Sequence, residues 1–147
     1  MKRTLTIILI FILTFALASC GSPTEKPAKE EITDPIDLTI SIVTDQESIE
    51  AEDFEPIENV SFKANKGMTV LQATELFCIS NDIELALDSK GEYVTHLNGL
   101  TEKDFSDMTG WSFTLNGEMV NVGAGIQVVE DGDVIQWKFV DFSSVSW

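Results

Sequence analysis

One stretch of this chain, MTVLQATELFCISN at residues 68–81, carries the apolar spacing of an α-helix; past the N-terminal apolar run, the remaining apolar segments are short and alternate. That contrast constrains the fold more than any other feature. Thr69 stands where a helix cap belongs, and Gln72 follows at the capping-box spacing. Val70, Ala73, Thr74 and Phe77 share one side of the helix, with Leu71 and Cys78 at its flank. A lone helix with one apolar side needs a sheet to lie against, and a sheet with one apolar face needs a cover.

The strands are read from period-two alternation. Residues 37–43 place Leu38, Ile40 and Ile42 on one face and Thr39 and Ser41 on the other. Residues 59–64 align Val60, Phe62 and Ala64, and residues 83–87 align Ile83, Leu85 and Leu87. A further strand is expected over 92–97. Trp111, Phe113 and Leu115 form the apolar face of the next, with Ser112 and Thr114 opposite, and Met119 and Val120 begin its return. IQVV at 126–129 reads as another short strand, and residues 133–140 align Ile135, Trp137 and Phe139. Turns fall at Lys66-Gly67, at 89–91, at Asp131-Gly132 and above all at Asn116-Gly117, a pair that tolerates positive φ at both positions of a two-residue hairpin. Residues 46–58 are acidic and contain Pro56, so they read as a loop, as do 101–108. The sum is six to eight strands and one helix. This is an α+β domain with the helix packed across a mostly antiparallel sheet.

The N-terminus sets the expected compartment. Met1-Lys2-Arg3 is followed by an uncharged apolar run to Ala16 and then by Leu17-Ala18-Ser19-Cys20. The run is shorter than the roughly 18–20 residues of a spanning helix and fits a secretory signal segment. LASC resembles a bacterial lipobox, which implies cleavage before Cys20 and lipidation of its thiol. Residues 1–19 are thus expected to be a lipoprotein signal peptide. Residues 20–35 are expected to be the lipidated Cys20 and a tether rich in proline and charge, and 36–147 the domain. The protein is placed outside the cytoplasm, anchored to a membrane by its lipid.

With Cys20 lipidated, Cys78 is the only other cysteine, so no internal disulfide is available and the fold must stand on its core. Cys78 reads as a small buried hydrophobe. The formal charge is −16 over the whole chain and becomes −18 once Lys2 and Arg3 are removed. That argues against nucleic acid as a partner and against adhesion to anionic lipid through a basic face.

No catalytic constellation is apparent. His96 is the single histidine and reads as a polar neighbour in a strand. Glu130-Asp131-Gly132-Asp133 lacks the spaced oxygen ligands of a calcium loop and reads as a turn. Gly123-Ala124-Gly125 lacks the lysine and following helix of a phosphate loop. Neither an enzyme activity nor a metal or cofactor is expected. What remains are aromatics and a small uncharged segment, 121–125, where backbone could approach a ligand closely or where glycine simply serves a turn.

Four pieces in order, KGMTVLQATELF, GEYVTHLNGL, GWSFTLNGEMVNVGAG and EDGDVIQWKF, together resemble the transcobalamin-like C-terminal domain family over residues 37–142. The resemblance implies a ubiquitin-like β-grasp domain. In the animal cobalamin carriers the domain closes over one face of a corrinoid, through stretches matching 93–100 and 111–125 here. It therefore implies ligand-binding roles for Tyr93, His96, Asn98, Trp111, Phe113, Asn116, Asn121, Val122 and Gly123. The carriers also have a large helical domain, for which this chain has no residues, so one face alone buries less of the ligand. Two functions follow as expectations. One is capture of a small molecule such as a corrinoid and its delivery to a transporter. The other is a cell-surface protein–protein interaction module that pairs through a sheet edge and has no small-molecule ligand.

Overall fold

The computed structural model describes residues 31–45, 51 and 54–143. The signal segment, Cys20, most of the expected tether, the centre of the acidic loop and the last four residues lie outside the described residues. The elements run β1 (Pro35–Thr44), β2 (Ile57–Asn65), α1 (Val70–Asn81), β3 (Leu85–Leu87), β4 (Val94–Leu97), β5 (Leu100–Thr101), β6 (Thr109–Leu115), β7 (Glu118–Met119) and β8 (Val134–Asp141). The class is α+β, as the pattern of one helix among short strands requires.

The main sheet has the order β2-β1-β8-β6-β7. Every pairing in it is antiparallel except the central one, where β1 and β8 run parallel with Ile40 beside Ile135 and Ile42 beside Trp137. The apolar sets read from alternation in β1 and β8 land inside, where Leu38, Ile40, Ile42, Ile135, Trp137 and Phe139 are buried, each such side chain contributing about 1.5–3 kcal/mol relative to exposure. In β2 Ala64 is buried and Phe62 half-buried, but Val60 is exposed. Trp111 packs edge-on against Phe139 with ring centroids 5.1 Å apart. Ser41 points away from this face yet is buried as well. Two residues of β2 bulge opposite it, and its hydroxyl accepts the Asn59 N–H at 2.9 Å, where Asn59 has a φ of 52°.

Helix α1 lies on the apolar face. Its N-terminus is satisfied throughout. Thr69 Oγ1 accepts the Gln72 N–H at 3.2 Å and Gln72 Oε1 accepts the Thr69 N–H at 3.0 Å, the reciprocal capping box its spacing predicts. The two N–H groups left over, on Val70 and Leu71, donate to the carbonyls of Gln127 at 2.7 Å and Ala124 at 2.9 Å. A helix leaves its first donors unpaired, so the segment that pairs them is pinned to it.

That use explains the main departure from expectation. Residues 126–129 form no strand; they contribute only an isolated bridge between Thr69 and Val128, because the Gln127 carbonyl, with that of Ala124 just before the segment, serves the helix end. Val129 turns inward while Ile126 and Val128 stay exposed.

A second sheet, β3-β4-β5, stands beside the main one. It is joined to it through buried Val94, Leu97 and Leu100 and through the Trp111 indole N–H, which donates to the Leu100 carbonyl at 3.1 Å.

Candidate functional site

Helix α1 does not roof the whole apolar face. Where the face continues under β6, Trp111, Phe113 and Trp137 line an open groove of about 780 Å³. Phe113 is half-buried and tilts against Trp137 with centroids 5.3 Å apart. One wall is the segment leading into β4, with Glu92 and Tyr93; the other is the segment 119–126. Tyr93 and Ile126 are each 71% exposed, and Met119 and Val122 are also exposed, so the rim is apolar and open to solvent.

Both walls are held in place. On the first, Asp88 organises the turn: its Oδ1 accepts the N–H groups of Glu92 at 2.7 Å and Tyr93 at 3.1 Å, and its own N–H donates to the Tyr93 carbonyl at 2.8 Å. These donors, chiefly the Tyr93 and Glu92 N–H groups, hold the Asp88 carboxyl below its usual range. On the second, Ala124 and Gln127 are tied to the helix start, and the Ile126 and Gln127 N–H groups close a turn onto the Gly123 carbonyl. Among the described residues, the N–H groups of 121–125 donate to no protein acceptor.

The two glycines of this wall are not required by its conformation. Neither Gly123 nor Gly125 has a positive φ. A Cβ on Gly123 would meet nothing within 4 Å, and one on Gly125 would only touch Leu71 Cδ2 at an ordinary 3.8 Å. At Gly123 the missing side chain leaves this part of the groove lining as bare backbone.

Of the expected site residues, the groove brings together Tyr93, Trp111, Phe113, Asn121, Val122 and Gly123. His96, Asn98 and Asn116 do not line it. His96 sits in the small sheet, with Nδ1 3.0 Å from the Thr101 hydroxyl and Nε2 3.5 Å from the Glu84 carboxylate. Asn98 holds a φ of 49° in the β4–β5 turn and donates to the Glu55 carbonyl at 2.9 Å. Asn116 has a φ of 55° in the β6–β7 hairpin, donates to Asp133 Oδ1 at 2.8 Å and accepts the Val134 N–H at 2.9 Å. Asn98 and Asn116 spend their side-chain amides on their own surroundings, while His96 Nε2 is buried without a hydrogen-bond partner. Asn98-Gly99 is the same dipeptide as Asn116-Gly117, and that repetition is the signal that marks it as a hairpin turn. Glu92, Met119, Ile126, Trp137 and Phe142 also line the groove. For Ile126, a large apolar residue directly after the glycines is the only hint in the chain.

The acidic turn at 130–133 is a structural device. Glu130 donates its N–H to Asp133 Oδ2 at 2.8 Å, Asp131 Oδ1 accepts the Asp37 N–H at 2.8 Å, and Gly132, at a φ of 88°, donates to the Asp37 carbonyl at 2.7 Å. It fixes the start of β8 against β1. Among the described residues no group of three or more His, Cys, Asp or Glu side chains is placed to hold a metal ion.

Among solved structures, the chain is similar to a crystal structure of haptocorrin in complex with Cbi, at 23% identity and a TM-score of 0.53 over 80% of this chain. The likeness is one of fold, and the chain spans only 28% of the length of haptocorrin. A structure of a proposed metal binding protein from Ruminococcus gnavus is similar at 20% identity and a TM-score of 0.47, over 71% of this chain and 95% of that one. No curated protein matches. A family model for a domain of unknown function matches residues 67–141, from the turn before α1 to the end of β8, and the chain belongs to that family, DUF4430, in keeping with its transcobalamin-like motifs.

Proposed function

We propose that this protein is a membrane-anchored, extracytoplasmic lipoprotein that captures a flat, partly apolar small molecule of the corrinoid type and passes it to a transporter. The observation that carries the reading is the groove itself. Its aromatic floor of Trp111, Phe113 and Trp137 and its bare backbone wall at 121–125 face one space of a size suited to a small ligand. A ring laid on aromatic side chains buries apolar area, while carbonyl groups on its rim can accept the unspent N–H groups. Haptocorrin, whose fold this chain shares, was crystallised with Cbi, and a ligand of that class suits such a groove. The order β2-β1-β8-β6-β7 with a parallel centre and one covering helix supports the ubiquitin-like β-grasp reading. Export and lipidation of Cys20 rest on the N-terminal sequence alone. They are checked by metabolic labelling with a radioactive fatty acid, which should mark the protein and fail to mark Cys20→Ser.

The test of binding is titration of cobalamin and cobinamide into the full-length chain, followed by calorimetry and by co-elution of the coloured ligand. Tyr93→Ala and Ile126→Ala are the variants of choice, because both side chains are exposed and their loss leaves the core intact. Saturable binding that weakens in these variants supports the reading. Absence of heat and of co-elution at millimolar ligand removes corrinoids.

The second reading, an interaction module, is favoured by β2. This nine-residue strand is an outer edge of the main sheet, mostly exposed, with Val60 open to solvent. It would show itself as a partner protein captured by the wild type and lost when a proline is placed at Ser61.

A further inference from the structure

The groove is nearly free of charge in a chain that carries a formal −16. Among its described lining residues there is no Lys, Arg or His, and Glu92 is the one carboxylate. Glu92 is also well placed to be read by a ligand. Its backbone is held by Asp88 at 2.7 Å, next to the exposed ring of Tyr93, and among the described residues no cation pairs with it. The basic residue of the same turn, Lys90, acts on Asp88, whose carboxyl it helps keep charged. The same groove is lined by 121–125, whose N–H groups donate to no acceptor among the described residues.

A groove lined by one carboxylate and by a run of backbone donors defines what can bind in it. A carbonyl oxygen satisfies the N–H groups, and an N–H or a cationic group satisfies Glu92. A carboxamide carries both functions in one neutral group. A carboxylate satisfies the N–H groups equally well but meets Glu92 as a like charge in a partly apolar cleft, where repulsion is less screened than in bulk water. We propose that Glu92 sets the charge selectivity of the groove, admitting a ring whose rim carries carboxamides and turning away the same ring when its rim carries carboxylates. This rests on the ligand-binding reading given above and adds to it the chemical class of the ligand's rim.

The probes are dicyanocobinamide and the same corrin with its rim amides hydrolysed to carboxylates, titrated into the full-length chain at low and at high salt. Wild type is expected to bind the amide form at least tenfold more tightly than the acid form. Glu92→Gln is expected to recover about three- to tenfold of the lost affinity for the acid form at low salt, narrowing the preference for the amide form. Glu102→Gln, an exposed carboxylate outside the groove, controls for net charge and is expected to change neither ratio. Equal relief by Glu92→Gln and Glu102→Gln, or none by either, overturns the assignment to Glu92 while leaving the ligand-binding reading intact. Failure of wild type to bind either probe overturns both.

Discussion

The indole N–H of Trp137 donates to the hydroxyl of Thr74 at 2.9 Å, at the centre of the contact between sheet and helix. Thr74 is fully buried and its hydroxyl donates in turn to the Val70 carbonyl at 2.7 Å. A threonine inside a helix usually spends its hydroxyl on the preceding turn alone; here the oxygen also satisfies the one polar atom of a tryptophan that lines the groove floor. Thr74→Val keeps the shape and removes the acceptor, so the indole N–H is left buried and unpaired. The expected cost is about 1–3 kcal/mol, read by chemical denaturation. Thr74→Ser should recover most of it, and a Thr74→Val variant as stable as wild type would falsify the claim that this bond matters.

Gly123 offers the opposite test, a site where function and stability part. Its φ is not positive and nothing lies within 4 Å of an added Cβ, so Gly123→Leu is expected to change stability by no more than about 0.5 kcal/mol. The new side chain would occupy the open wall and block the backbone N–H groups. Thermal melts should superimpose on wild type while corrinoid affinity falls by an order of magnitude. If the melts shift by many degrees instead, the glycine is serving the loop and not the groove.

Much of this architecture was legible because it is local. The capping box needs only Thr69 and Gln72, and the β6–β7 hairpin needs only Asn116 and Gly117, whose φ angles of 55° and 82° are those the dipeptide favours. The inward faces of β1 and β8 follow from alternation. The illegible parts are the non-local ones. Nothing in the residues around Ile40 announces a parallel partner at Ile135, nearly a hundred residues away. IQVV alternates like a strand, yet the demand of the helix N-terminus for acceptors at Ala124 and Gln127 takes that backbone first. The site divides in the same way. Residues set by strand periodicity, such as Trp111 and Phe113, reach the groove as expected, whereas His96, Asn98 and Asn116 are polar groups whose partners, at Thr101, Glu55 and Asp133, are seen only once the chain is folded.

Thr69 couples the helix to the groove wall. Thr69→Ala removes the side chain that accepts the Gln72 N–H, at an expected cost of about 1 kcal/mol. Because Val70 and Leu71 donate to the carbonyls of Gln127 and Ala124, fraying of this turn also loosens the segment that forms the wall. Amide exchange should therefore accelerate at Val70 and Leu71 as well as at Gln72. Faster exchange at Gln72 alone would show that the wall is held by other contacts.

Cys78 is buried on α1, and its thiol is pushed up to about 12, first by burial and then by the nearby charge of Glu75. A thiol in that state is not a nucleophile at neutral pH. In the folded protein it is expected to resist a disulfide reagent such as dithionitrobenzoate, and to react at the rate of an ordinary thiol once the chain is unfolded in urea. Rapid reaction under native conditions would show that the helix opens locally.

Asp88 makes the first groove wall sensitive to acid. Its carboxyl is held below the ordinary value of 3.8 by the N–H groups of Tyr93 and Glu92, with help from Lys90. A folded-state value below the unfolded one means that the charged form favours the folded turn. That contribution is fully present above the ordinary value and is lost as pH falls through the lowered folded value. The turn carrying Glu92 and Tyr93 should thus stay closed at about pH 5 and open only as pH falls below the ordinary value toward the lowered folded one, seen as a shift of the Glu92 and Tyr93 amide resonances toward those of unstructured peptide. Asp88→Asn keeps an acceptor oxygen and removes the titration, so its amide shifts should follow only the general acid unfolding of the domain. If wild type and Asp88→Asn move together across the whole range, the turn does not owe its closure to this carboxylate.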